Sequence, residues 1–331
     1  MNDKLQISPV RFGIVGTNFI SDWILRAGRE DPRFHPIAVY SRKQETAEAF
    51  ARKHNIPNTF TDLRAMAESD LIDAVYVASP NFLHAEQTIL CLSSGKHVLC
   101  EKPFASNAGE VKEMIATAKK FDRVLMEAIM PTLTPNFYQV LQNIDKIGTI
   151  RNYFACYCQY SSRYDRFKAG EVLNAFKAGM SNGALMDIGV YTIYPMVILF
   201  GKPMRINASG LLLSTGVDGQ GVIQFEYPSM LATVMYSKIA DSILPSAIHG
   251  EDGTIMLDRI NNISKVTFIN RKNKTMEDIT FPCQHNEYYY EIAEFIDIIQ
   301  SWKSESIINS HQHSLLTLEI MDEVKKQVKN L

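Results

Sequence analysis

The chain has 331 residues, 34 basic and 36 acidic, with a formal charge of -2 and no long run of either sign. That length suits two domains with separate cores, and that balance offers no electrostatic footprint for nucleic acid or an anionic membrane surface, which leaves a small molecule as the expected partner. No apolar stretch reaches the about 18 residues of a membrane span, and an odd set of five scattered cysteines behind an amino terminus without a signal-peptide core fits a reducing cytoplasm.

Val10 to Val15 predicts a short buried strand, followed at once by Gly16-Thr17-Asn18-Phe19-Ile20-Ser21 and a helix to about Arg29. Strand, glycine turn and helix are the setting in which a dinucleotide fingerprint carries meaning, because the turn lets a pyrophosphate approach backbone N–H groups at the helix start. Of the G-x-G-x-x-G/A pattern only the first glycine remains. Asn18 stands at the second position, where asparagine tolerates positive φ, and the small Ser21 at the third. Gly16, Thr17, Asn18, Phe19 and Ile20 are the candidate cofactor turn. The next strand, His35 to Tyr40, ends in Ser41-Arg42 with no carboxylate from Val39 to Gln44. A carboxylate there would bind the ribose 2′-hydroxyl of NAD, whereas Arg42 with Ser41 suits the 2′-phosphate of NADP; a solvated basic loop is the competing reading.

A helix over about Glu45 to Lys53 and an apolar strand Asp73 to Ala78 follow. Ser79-Pro80-Asn81 leaves that strand toward the same sheet edge as the glycine turn and is expected to line the cofactor, with Asn81 as helix N-cap and His84 one turn in. Ala85, Ile89 and Leu92 form the helix's apolar stripe, and Gly95 stops it.

Val98-Leu99-Cys100 then halts at Glu101-Lys102-Pro103. In an open α/β sheet the carboxyl end of a buried strand faces the ligand crevice, where a lysine on stiff backbone is suited to acid or base work. Lys102 is the first candidate for chemistry. Asn107 and Glu110 make a capping-box start for another helix, and a strand near Val124 to Met126 ends at Glu127-Ala128. To this point strands and helices alternate, the mark of a doubly wound parallel sheet.

The rhythm changes near residue 130. Ile150–Gln159, Arg205–Leu213, Gly221–Glu226, Leu231–Ser237, Ser246–His249, Thr254–Leu257, Lys265–Ile269 and Thr275–Phe281 come with turn residues between them and predict one large, mainly antiparallel open sheet. Two late helices, with stripes at Tyr288, Ile292, Phe295 and Ile299 and at Leu316, Ile320, Val324 and Val328, supply cover. The domains are expected at 1–129 and 130–331, the last helices free to pack back toward the first. Cys156-x-Cys158 shares a strand face but lacks a second pair at zinc spacing, so no metal is expected.

Between those strands, Asn182 to Tyr191 opens a helix running to about Phe200. Asp187 and Tyr191, four apart, project from one face, where a phenol and a carboxylate can bind and protonate a substrate oxygen, the carboxylate also holding an ammonium such as Lys102.

With these residues together the chain resembles the glucose-fructose oxidoreductase, inositol dehydrogenase and rhizopine catabolism (Gfo/Idh/MocA) family. The likeness runs from Arg11 to the final helix and is carried by Gly95 to Pro103, Ala78-Ser79-Pro80-Asn81 with His84, Met126-Glu127-Ala128 and Gly183 to Tyr191. It implies an amino-terminal Rossmann domain, a carboxyl-terminal α+β domain used for dimerisation or for a dimer of dimers, and an NAD(P)-dependent oxidoreductase that moves hydride to or from a hydroxyl or carbonyl carbon of a sugar-like or cyclic polyol. Lys102 matches the family's catalytic lysine and Asp187 its active-site aspartate, with Glu101 beside Lys102 in the cofactor wall. Sugar and inositol dehydrogenases place a histidine four residues after the aspartate. Tyr191 in that place resembles the dihydrodiol and xylose dehydrogenase branch and is the implied proton donor. Arg163, after the first strand of the second domain, is a candidate substrate contact. A silent NADP-binding sensor on the same fold is the alternative that the departures at Asn18 and Ser21 suggest.

Overall fold

Apolar strands that alternate with amphipathic helices build the first half of the chain, as the computed structural model, which describes residues 8–329, makes explicit. Strands β1 (Val10–Val15), β2 (Phe34–Tyr40), β3 (Asn58–Phe60), β4 (Ala74–Val77), β5 (His97–Glu101) and β6 (Leu125–Ala128) form a parallel sheet in the order β3-β2-β1-β4-β5-β6. The order reverses between β1 and β4, which places the ligand crevice at their carboxyl ends. Helices α1 (Phe19–Gly28), α2 (Gln44–His54), α3 (Leu63–Glu68), α4 (His84–Ser93) and α5 (Ala108–Phe121) connect the strands. Both faces of the sheet are therefore covered, and Phe12, Ile14, Val75, Tyr76 and Leu99 are essentially inaccessible.

By contacts the chain divides into two units, one holding the sequence up to Ala128 with Gln284–His311, the other Ile129–Cys283 and the sequence from Gln312 on. The late helix Tyr289–Gln300 lies in the first unit because its apolar stripe finds cover there: Phe295 packs 6.0 Å from Phe12, whose ring lies 4.6 Å from Phe34. Arg33 fastens the same helix by pairing with both Asp31 and Asp297.

The second unit holds α6 (Pro135–Asn143), β7 (Ile150–Cys158), α7 (Tyr164–Lys168), a π-helical turn Leu185–Gly189 that runs into α8 (Val190–Phe200), and strands β8 (Arg205–Leu212), β9 (Asp218–Glu226), β10 (Leu231–Ser237), β11 (Ser246–Gly250), β12 (Gly253–Leu257), β13 (Val266–Asn270) and β14 (Met276–Asp278). The sheet order is β14-β13-β12-β11-β7-β10-β9-β8, antiparallel throughout except for β7 with β10. Counting Tyr289–Gln300 as α9, the chain closes with α10 (His311–Lys329).

One face of this sheet carries α8 and α10. The Tyr153 hydroxyl donates to the Thr192 carbonyl at 3.0 Å, and Gly189 comes so near the Tyr236 ring that a Cβ would lie 3.3 Å from it. Edge strand β8 is blunted by Gln327, whose amide accepts from Ala208 N and donates to Ile206 O at 2.8 and 3.0 Å.

The local sequence signals hold at most ends. Asn107 Oδ1 accepts from Glu110 N at 3.0 Å, and Gly95 has φ +80. Asn81 departs from its expected part: a 3₁₀ turn Asn81–Leu83, closed by Leu83 N to Pro80 O at 2.8 Å, intervenes, and α4 starts at His84 without a side-chain cap. Among the described residues no helix is long and apolar enough to cross a membrane.

Candidate active site

The turn after β1 is built to hold something flat against backbone. Gly16 has φ +106, and a Cβ there would lie 2.4 Å from the Ala78 carbonyl oxygen, so only glycine lets this turn meet the end of β4. Asn18 has φ -93 rather than the positive φ anticipated from its place in the fingerprint. Its work is in the side chain: Oδ1 caps α1 by accepting from Ile20 N at 2.9 Å, and Nδ2 donates to Ala78 O at 3.0 Å. Ser21, fully buried, donates to Gly16 O at 2.9 Å. The missing glycines are thus replaced by side chains that fasten the turn. Thr17 is half-buried and Phe19 lies half-exposed at the mouth of α1, beside the partly covered Ile20.

Ser79, Pro80 and Asn81 follow β4 at this edge, each partly exposed, and the Ser79 hydroxyl is buried without a hydrogen-bond partner among the described residues. A close-packed glycine turn at a helix N-terminus beside an orphaned hydroxyl fits a bound dinucleotide. Ser41 anchors its backbone to Phe60 O at 3.1 Å, and Arg42 is exposed and in no ion pair with another described residue. Both stand at the end of β2, the strand next to β1.

His84 is buried, with Nδ1 against Pro103 O and Nε2 against Ser79 O, both at 2.9 Å. The imidazole therefore joins the Ser79 loop to the Glu101-Lys102-Pro103 turn. Burial pulls its pKa below the ordinary histidine value, opposed by the two carbonyls. Lys102 leaves the carboxyl end of β5 partly exposed. Its backbone is set by Glu101, whose carboxylate turns inward: Oε2 accepts from Lys102 N at 3.2 Å and Oε1 from the buried Tyr76 hydroxyl at 2.5 Å. Glu127, fully buried, accepts from Phe104 N at 3.0 Å and fixes the other end of the turn.

In the second unit Asp187 and Tyr191 stand one turn apart where the π-helical turn becomes α8. Tyr191 sets its ring edge-to-face on Tyr157 of β7, centroids 5.7 Å apart. Asp187, its side chain 40% exposed, is ion-paired with Lys238, which is 6% exposed and sits 5.5 Å above the Phe176 ring. Within this unit the ammonium held by Asp187 is that of Lys238. Asp218 braces the start of the turn by accepting from Leu185 N at 2.7 Å, and Gly183, at φ +126, admits it because a Cβ would collide with Oδ1 at 2.1 Å. Burial pushes the Asp218 carboxyl up to about 6, against the pull of backbone N–H groups and Lys238. Arg163 is exposed just ahead of α7.

Residues 10–129 match the model of the oxidoreductase family with an NAD-binding Rossmann fold, and residues 141–256 match the GFO/IDH/MocA C-terminal domain. The chain belongs to the GFO/IDH/MocA family. It is 50% identical over 319 residues, 96% of this chain and 97% of the other, to the scyllo-inositol 2-dehydrogenase (NADP(+)) IolU of Bacillus subtilis. It is 30% identical over 303 residues, 88% of this chain and 89% of the other, to the trans-1,2-dihydrobenzene-1,2-diol dehydrogenase of Xenopus tropicalis. Among solved structures, levoglucosan dehydrogenase with NADH and levoglucosan superposes with a TM-score of 0.87 at 20% identity, over 98% of each chain. A 3-ketoreductase of Actinomadura kijaniata with NADP superposes at 0.85 and 24%, over 97% of this chain and 98% of that one. This member of the family is an NAD(P)-dependent oxidoreductase acting on CH–OH groups.

Two side chains of the site escaped the sequence reading, Lys238 and Asp218. Lys238 ends the apolar run Leu231 to Ser237, the same strand-then-lysine signal that marked Lys102. Asp218 carries no such mark, because its partner is a backbone N–H of a distant segment.

Proposed function

We propose that this family member is an NADP-dependent dehydrogenase of cyclic polyols, with inositols as the substrate class. Half-identity with a scyllo-inositol 2-dehydrogenase (NADP(+)) along nearly the whole of both chains carries this reading. When bound, the nicotinamide supplies the acceptor or donor of hydride. Lys102 polarises the reacting oxygen, Tyr191 exchanges its proton, and Asp187 accepts a hydrogen bond from a substrate hydroxyl. Gly16, Thr17, Asn18, Phe19 and Ile20 cradle the pyrophosphate, with Ser79, Pro80, Asn81, His84 and Glu101 forming the wall beside it. Ser41 and the exposed Arg42 receive the 2′-phosphate, and Arg163 reaches toward substrate.

The protein works as a homodimer through the face of the second sheet turned away from α10. Gly210 packs on Val328 of α10, so its strand neighbour Leu211 and, by register, Val222 and Leu231 lie on the opposite face, and these three side chains are 51, 41 and 57% exposed. The odd, scattered cysteines suit a cytoplasmic setting.

Purified protein given NADP⁺ and scyllo-inositol is expected to develop absorbance at 340 nm. Absence of turnover with scyllo-inositol, myo-inositol and xylose alike would sink the reading. NADPH is expected to raise the melting temperature more than NADH, and Arg42→Ala to erase that difference.

A further inference from the structure

We infer that Lys238 is a positioning residue that holds Asp187 as a fixed, ionised carboxylate, so that Asp187 receives a hydrogen bond from a substrate hydroxyl and takes no part in proton exchange. The inference rests on the oxidoreductase reading for the role of Asp187. The ion pair itself stands on geometry alone.

An ammonium removed from water is tolerated only beside compensating charge. Lys238 is 5% exposed as a residue, and what surrounds its head is specific. Asp187 from the turn before α8 pairs with it, the Phe176 ring lies 5.5 Å away, and Asp218 at the start of β9 faces it electrostatically. Tyr236, on the strand that Lys238 ends, is buried, its hydroxyl has no hydrogen-bond partner among the described residues, and Asp218 acts on it electrostatically. One cation thus lies among two carboxylates of opposite character. The Asp218 carboxylate is tied to Leu185 N, whereas the Asp187 side chain is 40% exposed.

Removing the ammonium takes away the opposite charge that pairs with Asp187, and loss of an opposite charge disfavours ionisation. Asp187 would then take up a proton at higher pH and lose its fixed direction. The backbone of Lys238 is held independently of its side chain, its N–H donating to Gly219 O at 2.8 Å and its carbonyl accepting from Ser161 N at 2.9 Å, so truncation keeps the fold.

The test compares wild type, Lys238→Met and Lys238→Arg with scyllo-inositol and NADP⁺ across pH. Lys238→Met is expected to lower kcat/KM by about 10- to 100-fold at neutral pH, as misplacement of a substrate-orienting group does. Its acid limb should move to higher pH, NADPH affinity should be unchanged, and Lys238→Arg should restore the profile in part. In protein carrying ¹³C at aspartate carboxyls, the resonance missing from Asp187→Asn should titrate at higher pH in Lys238→Met than in wild type. That readout stands even if no cyclitol is turned over, so it separates failure of this inference from failure of the proposed function. An unmoved resonance, or an unmoved pH profile in an active Lys238→Met enzyme, overturns the inference.

Discussion

His84 places Nδ1 2.9 Å from the Pro103 carbonyl oxygen, which couples the lysine-bearing turn to helix α4. Its other ring nitrogen meets the Ser79 carbonyl at the same distance, so one side chain spans two loops of the nucleotide-binding unit. A neutral imidazole has a single N–H and serves one carbonyl at a time, yet either bond holds a buried ring in place. His84→Phe keeps the bulk and removes the imidazole's hydrogen bond, whichever carbonyl it serves. It should cost about 1–3 kcal/mol of stability, the penalty for buried carbonyls left unpaired. NADPH affinity should fall with it, because the Ser79 loop loses its tether. A melting curve and a fluorescence titration measure both, and an unchanged affinity would remove the Ser79 loop from the cofactor wall.

Acid should weaken the first unit through His97. Burial, helped by the Arg123 charge, lowers this histidine from 6.5 to about 4, and its Nδ1 accepts from Val124 N at 2.9 Å, a bond that a protonated nitrogen cannot make. Between those two pH values the unfolded chain binds a proton at this site that the folded chain refuses, so stability falls as pH drops through that window. At 1.36 kcal/mol per unit the loss is roughly 3–4 kcal/mol. Denaturant melts of wild type and His97→Gln, whose amide oxygen can still accept from Val124, should converge toward the acid end. Parallel curves would exclude His97 as the cause.

Much of this architecture was legible because burial imprints itself on sequence period. β1, β5 and β10 are apolar runs with abrupt polar stops, and each strand of the second sheet lies within a few residues of its expected span. β3 left no such imprint. It is a three-residue edge strand, Asn58–Phe60, with no fully buried side chain. Asn18 was visible as a departure from a pattern, but its replacement of glycine by two side-chain hydrogen bonds depends on where the Ala78 carbonyl lies, 60 residues on. The Asp187 partner was hidden for the same reason, since Lys238 is 51 residues away and meets it only when β10 pairs beside β7.

The glycine turn should separate cofactor binding from folding. In Gly16→Ala the new Cβ would stand 2.4 Å from a backbone oxygen, and φ +106 disfavours any side chain, so the turn must move off the end of β4. Strain of this kind costs about 1–3 kcal/mol. The rest of the sheet does not depend on the turn, so the variant should fold with a lowered melting temperature while the thermal shift produced by NADPH disappears. A full NADPH shift in Gly16→Ala would place the pyrophosphate elsewhere.

On the proposed function, chemistry and binding should part company at Lys102 and Tyr191. Positioned proton transfer contributes about 10²- to 10⁴-fold, so Lys102→Met should lower kcat by that order while NADPH binding changes little. Tyr191→Phe is the cleaner companion, because the Tyr191 ring rests edge-to-face on Tyr157 at 5.7 Å and a phenylalanine keeps that packing while deleting only the hydroxyl. Its expected loss is therefore in kcat with the melting temperature held. Single-turnover absorbance at 340 nm with saturating cofactor reads the chemical step in both variants. If the Lys102→Met defect vanished at saturating NADPH, the lysine would belong to cofactor binding, and the proton transfer assigned to Tyr191 would have to proceed without an ammonium on the reacting oxygen.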